Sequence, residues 1–318
     1  MFEIGLLLYP GCMPAGLLAT VDLLQAANRR SGRRLFGWRW LGVEAGPVAC
    51  AHGVTLQTDV ALADAGCAAV LVAGMWAESI AEVEQVLSEQ QSLLRALRAL
   101  PTAVQLWSYC TGVALAAASG RLDGHAATAT WWMAPWQQQR HPQVDWQWQR
   151  TCVFNLHNAS ASGAHGYLPI VSGMLEQKLP PELWRDLARL LVLPRPQPVA
   201  SVFQALALIG IADPWLRRLR LAIEDCPAGA LTVARLAEVM AVSPRTLARK
   251  AAAAGADGVG EYARRVKLNQ VAEQLAHTAL PLVRIADALG FADETSLRRA
   301  FRQVSGMTPA EYRRAYQA

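Results

Sequence analysis

The chain has 318 residues and a formal net charge of +5, so it is long enough for two domains with separate cores. Hydrophobic residues make up 53% of it, yet no uninterrupted apolar run reaches membrane-spanning length. The six cysteines include no Cys-x-x-Cys pair, which argues against a zinc ribbon or a disulfide framework. We therefore expect a cytoplasmic protein with no metal, no cofactor and no membrane partner.

Short apolar runs alternate with helical patterns through the N-terminal part of the chain. This alternation predicts an α/β domain, in which a mostly parallel sheet is covered by helices on both faces as in flavodoxin-like folds. Ligand sites in such sheets lie at the carboxyl ends of the strands. The predicted strands are residues 4–9, 38–43, 69–73 and 103–107, and the predicted helices are residues 16–29, 78–100 and 113–118.

Cys110 lies between the strand predicted at 103–107 and the helix predicted at 113–118. A cysteine at such a sharp turn has the placement of a nucleophile elbow, where the side chain enters a cleft. Backbone N–H groups and the dipole of the following helix would favour its thiolate. The alternative interpretation is a small residue that simply fits a tight turn.

Three stretches carry a resemblance to a known domain. They are Cys110 with Gly112, the run Ala116-Ala-Ala-Ser-Gly-Arg-Leu-Asp-Gly124, and the run Ala127-Thr-Ala-Thr-Trp131. They resemble the class I glutamine amidotransferase-like domain of the PfpI type, and the resemblance covers roughly residues 3 to 193. It implies a parallel-sheet sandwich with Cys110 in the ancestral active-site cleft.

The partners that a catalytic cysteine needs are missing from their usual places. Enzymes of this fold usually have a histidine directly after the cysteine, where this chain has Thr111, and a carboxylate near the first strand-to-helix loop, here residues 9–16, which contain no acid. A histidine common before Trp131 is replaced by Thr130. The remaining candidates for a base are His125, His141, His157 and His165, which we expect to be surface or hydrogen-bonded residues. We expect no enzymatic activity; a cysteine-dependent hydrolase or amidotransferase is the alternative.

Alternating prolines at 194–198 indicate a stiff, extended hinge between domains. The predicted organisation is a sensor domain at 1–193, a linker at 194–212 and a C-terminal domain at 213–318.

A helix-turn-helix pattern occurs twice in the C-terminal domain. In the first copy Ser243 and Pro244 restart the helix, and in the second Gly290 makes the turn and Asp293 caps the next helix. Each copy has an apolar stripe at helical spacing, which comprises Leu236, Ala237 and Met240 in the first and Ile285, Ala286 and Leu289 in the second.

The second helix of such a motif lies in the major groove and presents its N-terminal residues to base edges. Arginine pairs with guanine and glutamate accepts from cytosine, although arginines at helical spacing also form plain solvated faces. Residues 216–318 carry 16 Lys and Arg against 10 Asp and Glu, whereas residues 1–215 carry 14 against 15, which favours the C-terminal domain as the DNA-binding part. The candidate DNA contacts are Arg245, Thr246, Ala248, Arg249 and Lys250 in the first copy and Glu294, Thr295, Ser296, Arg298, Arg299 and Arg302 in the second.

Roughly residues 213 to 316 resemble the DNA-binding unit of the AraC family of transcription regulators. The resemblance rests on the two motifs, on a linking helix at 261–276, on Gly290-Phe291, and on Gly306-Met-Thr-Pro-Ala-Glu-Tyr-Arg-Arg314. Ala251 departs from the bulky apolar residue usual in the family. The resemblance implies an activator that binds promoter DNA as a homodimer and works with RNA polymerase.

A chain that combines these two domains resembles the GlxA-like branch of these regulators. The segment Asn158-Ala-Ser-Ala-Ser-Gly-Ala164 also resembles a segment of that branch. This implies that the old cleft has become a sensor pocket for a small molecule. Trp131 or Trp132 as an aromatic wall would suit a cationic or amine ligand, which is consistent with a nitrogen compound as the effector. A thiol redox sensor that pairs Cys110 with Cys12 is the further alternative. The predicted pocket residues are Cys12, Met13, Met75, Trp76, Tyr109, Cys110, Thr111, Trp131 and Ser162.

Overall fold

A seven-stranded sheet forms the centre of the N-terminal unit. The computed structural model describes residues 1–148, 150–193, 214–253 and 258–316, and the chain divides into two units, Met1–Val199 and Ala200–Ala318. The predicted linker at 194–212, with its proline hinge at 194–198, lies outside the described residues. The strands are β1 (Phe2–Leu7), β2 (Phe36–Gly42), β3 (Gly46–Ala49), β4 (Thr55–Thr58), β5 (Val60–Ala61), β6 (Ala69–Val72), β7 (Gln105–Tyr109), β8 (Ala126–Ala127), β9 (Asp145–Trp146), β10 (Cys152–Phe154) and β11 (Asn158–Ala161).

The sheet has the spatial order β10-β11-β7-β6-β1-β2-β5, and all its neighbouring strands are parallel except β10 and β11. Central strands of such a sheet are covered on both faces, which explains why β6 is buried along its whole length. The predicted α/β class with a mostly parallel sheet is confirmed. Two-residue strands and the β3–β4 hairpin went unpredicted, because their short stretches carry little apolar periodicity.

Two groups of helices pack with this sheet, α1 with α6 and α7, and α2 and α3 with α4. The single helix predicted at 78–100 is wrong, because Gln90 leaves the helical region and separates α2 from α3. Leu87 and Leu93 are both buried yet lie six residues apart, which would place them about 120° apart around one continuous helix, so the break restores a common apolar side. The helices are α1 (Ala15–Ser31), α2 (Ile80–Glu89), α3 (Gln91–Ala99), α4 (Gly112–Ala118), α5 (Ala134–Arg140), α6 (Tyr167–Lys178) and α7 (Pro181–Leu190).

The strand order reverses direction at β1. The chain moves from β1 outward to β2 and β5, and then returns to β6 on the other side of β1. The crevice beyond the carboxyl ends of β1 and β6 is therefore the topological switch point, where open α/β sheets bind their ligands.

Described residues of the C-terminal unit form helices around the long helix α11, which packs against α8, α12 and α14. The linking helix predicted at 261–276 is thus present with slightly wider bounds. A buried lysine, Lys267, crosses to α8 by donating from Nζ to the Glu224 carbonyl at 2.8 Å, and burial lowers its pKa. The helices are α8 (Pro214–Asp225), α9 (Val233–Val239), α10 (Pro244–Ala253), α11 (Val259–His277), α12 (Leu282–Leu289), α13 (Glu294–Ser305) and α14 (Pro309–Tyr316).

Ala251, the departure from the AraC pattern, is fully buried in this second core.

No helix in the described part of the chain is long and apolar enough to cross a membrane. Strand β9 ends at Trp146, so Trp148 lies outside it. Their rings nevertheless stack, with centroids 4.9 Å apart and planes 16° apart.

Candidate functional site

Helix α10 begins at the cap that the sequence predicts. The Ser243 hydroxyl accepts a hydrogen bond from the Thr246 amide at 3.1 Å, and Thr246 Oγ1 lies 2.9 Å from the same oxygen. Leu247 is fully buried and fixes which side of the helix faces the core. The exposed positions that result are Arg245, Ala248 and Arg249.

Helix α13 repeats this arrangement. Asp293 accepts from the Ser296 amide at 2.7 Å and from the Ser296 hydroxyl at 2.8 Å, and these bonds lower the pKa of its carboxyl. Leu297 is fully buried, as Leu247 is in the first motif. The candidate contacts that α13 exposes are Thr295, Arg298, Arg299 and Arg302, while Glu294 and Ser296 are half-buried. We call α10 and α13 the reading helices.

Two predicted contacts have other partners within the protein. Lys250 places Nζ 5.1 Å from the centre of the Trp215 ring, a cation–π contact. Arg298 forms an ion pair with Glu294 one turn earlier on α13. Arg299 and Arg302 line an open groove of about 650 Å³ beside the start of α14. Exposed surface ion pairs contribute little, so Arg298 remains available to a nucleic acid.

The N-terminal unit gathers three loops at the switch point. Cys12, after β1, forms an isolated antiparallel bridge with Met75, after β6, and the Met13 amide donates to the Gly74 carbonyl at 2.8 Å. Gly74 is closely surrounded, because a Cβ built there would lie 2.9 Å from Cys110 Cβ and 3.1 Å from Met13 Cε. Five predicted pocket residues therefore meet here, namely Cys12, Met13, Met75, Cys110 and Thr111.

Cys110 has a φ of 57°, a strained value for a residue other than glycine, and directly precedes the Thr111 cap of α4. This is the predicted strand-to-helix elbow. The predicted thiolate is wrong in direction, because burial raises the pKa of the Cys110 thiol, and hydrogen bonds from Thr111 and Thr130 offset only part of that rise. The sulfur is therefore a neutral thiol near neutral pH.

Thr111 occupies the position at which enzymes of this fold usually have a histidine. Its hydroxyl donates to the Met75 carbonyl at 2.6 Å and accepts from the Met75 amide at 2.9 Å. The side chain thus fixes the loop after β6 to the elbow. A threonine hydroxyl is not a general base, so Thr111 does not replace the missing histidine beside Cys110.

The four candidate histidines contact other groups. His125 and His157 lie with ring centroids 5.4 Å apart, and His165 lies edge-on to Tyr167 at 6.4 Å. His141 lies edge-on to Trp136 at 6.0 Å, and its pKa is lowered by burial. Within the described residues, the hydrogen bonds that affect the Cys110 thiol come from threonines, and no charged group acts on it.

Four other predicted pocket residues lie around this centre. Trp76 is 63% exposed and meets His52 edge-on with centroids 6.0 Å apart. Tyr109 is turned toward Tyr167, with centroids 5.9 Å apart, and Ser162 Oγ donates to the Thr151 carbonyl at 3.5 Å. Trp131 follows Thr130, and its indole nitrogen is buried without a hydrogen-bond partner in the described part of the chain.

Cys12 follows β1 and Cys110 follows β7, and β6 lies between these two strands. Cys12 instead meets Cys50, with sulfur atoms 3.6 Å apart. The sequence analysis also missed Tyr9, whose buried hydroxyl donates to the Ala73 carbonyl at 2.7 Å. Neither Cys50 nor Tyr9 belongs to a motif, so only the folded geometry reveals them.

Comparison with known proteins identifies the second unit first. A family model described as a helix-turn-helix domain matches residues 236–315, which include both reading helices. An AraC-like transcription regulator of Streptomyces antibioticus is 38% identical over 107 residues, which cover 34% of this chain and 35% of that protein. This chain therefore matches only about a third of that relative's length.

Two further relatives match almost from end to end. CdhR, an HTH-type transcriptional regulator of Pseudomonas aeruginosa, is 25% identical over 310 residues, which cover 96% of this chain and 90% of CdhR. GlxA, an HTH-type transcriptional regulator of Rhizobium meliloti, is 26% identical over 324 residues, which cover 98% of this chain and 95% of GlxA. The chain is a DNA-binding transcriptional regulator that is similar to AraC-type regulators.

A crystal structure of a transcriptional regulator protein from Vibrio parahaemolyticus superimposes on 60% of this regulator and 98% of that chain, with a TM-score of 0.52 and 13% identity. At that identity the match shows a shared fold alone. The regulator thus joins a parallel-sheet domain to a DNA-binding domain, and the GlxA-like resemblance of the sequence is confirmed.

Proposed function

We propose that the regulator reads a promoter through the exposed faces of its two reading helices and that the cleft around Cys110 binds a small-molecule effector without transforming it. Promoter recognition is supported by an exposed arginine at the same position of both reading helices. Each helix buries a leucine, Leu247 or Leu297, and exposes an arginine two positions later, Arg249 or Arg299. Equivalent side chains therefore project from equivalent faces of both motifs.

DNA recognition needs both positioning and base contacts. Arg249 and Arg299 are our candidates for guanine edges, and Arg302, at the groove beside α14, is our candidate for a phosphate contact. Two motifs in one chain would meet successive major-groove faces about 10 base pairs apart. We propose that a homodimer doubles this site, as in regulators of similar build.

Effector binding is supported by the position and chemistry of the cleft. It lies at the switch point, and the groups that meet there are thioethers, thiols and a threonine, with no ionised side chain acting on the Cys110 thiol. The indole nitrogen of Trp131 and the hydroxyl of Tyr109 are buried donors without protein partners in the described part of the chain. These donors favour a compact ligand that carries a hydrogen-bond acceptor.

Catalysis has less support, because burial favours the neutral thiol of Cys110 and the residue after it, Thr111, is not a general base and fixes the loop that holds Met75. Ligand binding alone suffices for regulation if the effector has unequal affinity for two states of the protein. A cysteine-dependent hydrolase remains testable. Cys110→Ala would abolish turnover in that case, whereas under our proposal there is no turnover to lose and DNA affinity is unchanged.

The test is capture of genomic DNA fragments by the purified full chain, followed by competition with nonspecific DNA at physiological salt. Salt-stable sites separate base readout from phosphate attraction. We expect a discrete set of promoters, and the neighbouring genes would nominate effectors for binding assays. Diffuse, salt-sensitive capture, with and without a metabolite extract, would overturn the proposal.

A further inference from the structure

Two cysteine sulfurs lie close together beside the cleft. Cys12 Sγ and Cys50 Sγ are 3.6 Å apart, and both residues are buried, at 0% and 7% exposure. Among the six cysteines, all of which lie in the described residues, no other pair of sulfurs is within hydrogen-bonding distance. A disulfide bond is about 2.05 Å long, so these sulfurs need to approach by only about 1.5 Å.

The backbone around the two cysteines is already paired. The Gly11 amide donates to the Ala49 carbonyl at 3.0 Å, and the Ala51 amide donates to the Cys12 carbonyl at 2.9 Å. These bonds flank the two cysteines and hold the loop after β1 against the turn after β3. Because this pairing exists in the thiol form, the two loops that carry the cysteines already lie side by side.

We propose that Cys12 and Cys50 are a redox modification site that forms a reversible disulfide with a hydroperoxide as oxidant. Cys50 is the more exposed thiol, so its sulfur attacks the peroxide oxygen; the O–O bond breaks, and a sulfenic acid and an alcohol or water are formed. Cys12 then attacks the Cys50 sulfur, the S–S bond forms, and water leaves with the Cys12 proton. Two thiols and one peroxide thus give one disulfide, one water and one alcohol or second water.

The geometry also sets the rate and the consequence. Burial beside Cys50 raises the pKa of Cys12 to about 12, so the second step should accelerate as the pH rises. The disulfide would join Cys12, whose chain neighbour Met13 lies against the cleft, to the β3–β4 hairpin. This inference stands whether or not the cleft binds an effector, since it uses only the two thiols and their loops.

The test is peptide mapping of the full chain after mild hydrogen peroxide and alkylation of the remaining thiols. Trypsin places Cys12 in peptide 1–29, but it leaves Cys50 and Cys67 together in peptide 40–95, so a second cleavage before Asp59 and Asp64 is needed. We expect a linked pair that contains Cys12 and Cys50, a mass loss of about 2 Da that dithiothreitol reverses, and a melting temperature several degrees higher.

Cys67→Ser is the matched control, since Cys67 is also buried, at 6% exposure, and should leave the linked pair intact. Cys12→Ser and Cys50→Ser should each lose both the linkage and the rise in melting temperature. The proposal is overturned if the wild-type chain keeps both thiols alkylatable after peroxide, or if Cys12 is found linked to Cys110. The peptide map of the wild-type chain tests the proposal by itself, so the test remains valid even if a serine variant fails to fold.

Discussion

Ala241 and Gly290 occupy the same left-handed turn in the two helix-turn-helix motifs, with φ angles of 52° and 72°. In each motif the amide of the following residue donates to the carbonyl five residues earlier, at 3.0 Å in the first and 2.9 Å in the second. A left-handed backbone is strained for alanine and unstrained for glycine. The first motif therefore carries strain that the second avoids.

Exchanging the two residue types should change stability in opposite directions. Ala241→Gly should stabilise the C-terminal unit by about 0.5 to 1 kcal/mol, since relief of strain outweighs the entropy cost of glycine. Gly290→Ala should destabilise it by about 1 to 2 kcal/mol or more, since its Cβ would also lie 2.6 Å from Pro227 Cβ. Urea unfolding of the full chain measures both. Equal effects of the same sign would contradict the assigned turn geometry.

Thr111 should act as a structural clip. Thr111→Val keeps the shape but leaves the amide and carbonyl of Met75 unpaired, which should cost about 1 to 3 kcal/mol in unfolding free energy of the N-terminal unit. Thr111→Ser retains the hydroxyl and should cost much less. Chemical denaturation of the two variants side by side provides the comparison. If both variants lose the same amount, the hydroxyl bonds do not stabilise the cleft.

Asp293 should make the second reading helix sensitive to acid. Its hydrogen bonds from Ser296 lower its pKa from 3.8, so the folded state favours the ionised carboxyl. That contribution is complete above pH 3.8 and is lost as the pH falls toward the lower folded value. Asp293→Asn keeps an acceptor but does not titrate, so its unfolding free energy should fall less between pH 6 and pH 3. A parallel fall in the parent and the variant would rule out this linkage.

Arg249 and Arg299 should contribute to specific DNA binding from separate motifs. Arg249→Ala and Arg299→Ala should each cost about 1 to 3 kcal/mol on a true operator and relax base preference at one position. Arg235→Ala is the control, because Arg235 is exposed on α9 and pairs with Glu238 there. Titration of a labelled operator measures all three. Unchanged affinity of both reading-helix variants would show that the contacts are assigned to the wrong residues.

The elements that local rules govern were predictable from the sequence. Apolar stripes, the Ser243 and Asp293 caps and the Gly290 turn identify both motifs, because capping and periodicity act within a few residues. The elbow at Cys110 was predictable for the same reason, since a buried strand run and a helix surround it. Boundaries moved by one or two residues, as ends of elements do.

Properties that depend on distant contacts were not predictable. The thiolate expected at Cys110 fails because burial outweighs the hydrogen bonds it receives, and burial is a property of the folded unit. Cys50 and Cys12 are 38 positions apart and share no motif, so their contact depends on the backbone pairing of two distant loops. The hydrogen bond from the Met75 amide to the Thr111 hydroxyl likewise joins two loops that only the folded sheet brings together.

We propose that the two reading helices of one chain recognise DNA side by side. The most direct measurement is a methylation-protection footprint on a captured promoter, because guanine N7 lies in the major groove. We predict two clusters of protection about 10 base pairs apart for each protomer, with Arg249→Ala weakening one cluster and Arg299→Ala the other. A single cluster, or protection that neither variant changes, would contradict side-by-side recognition by the two reading helices.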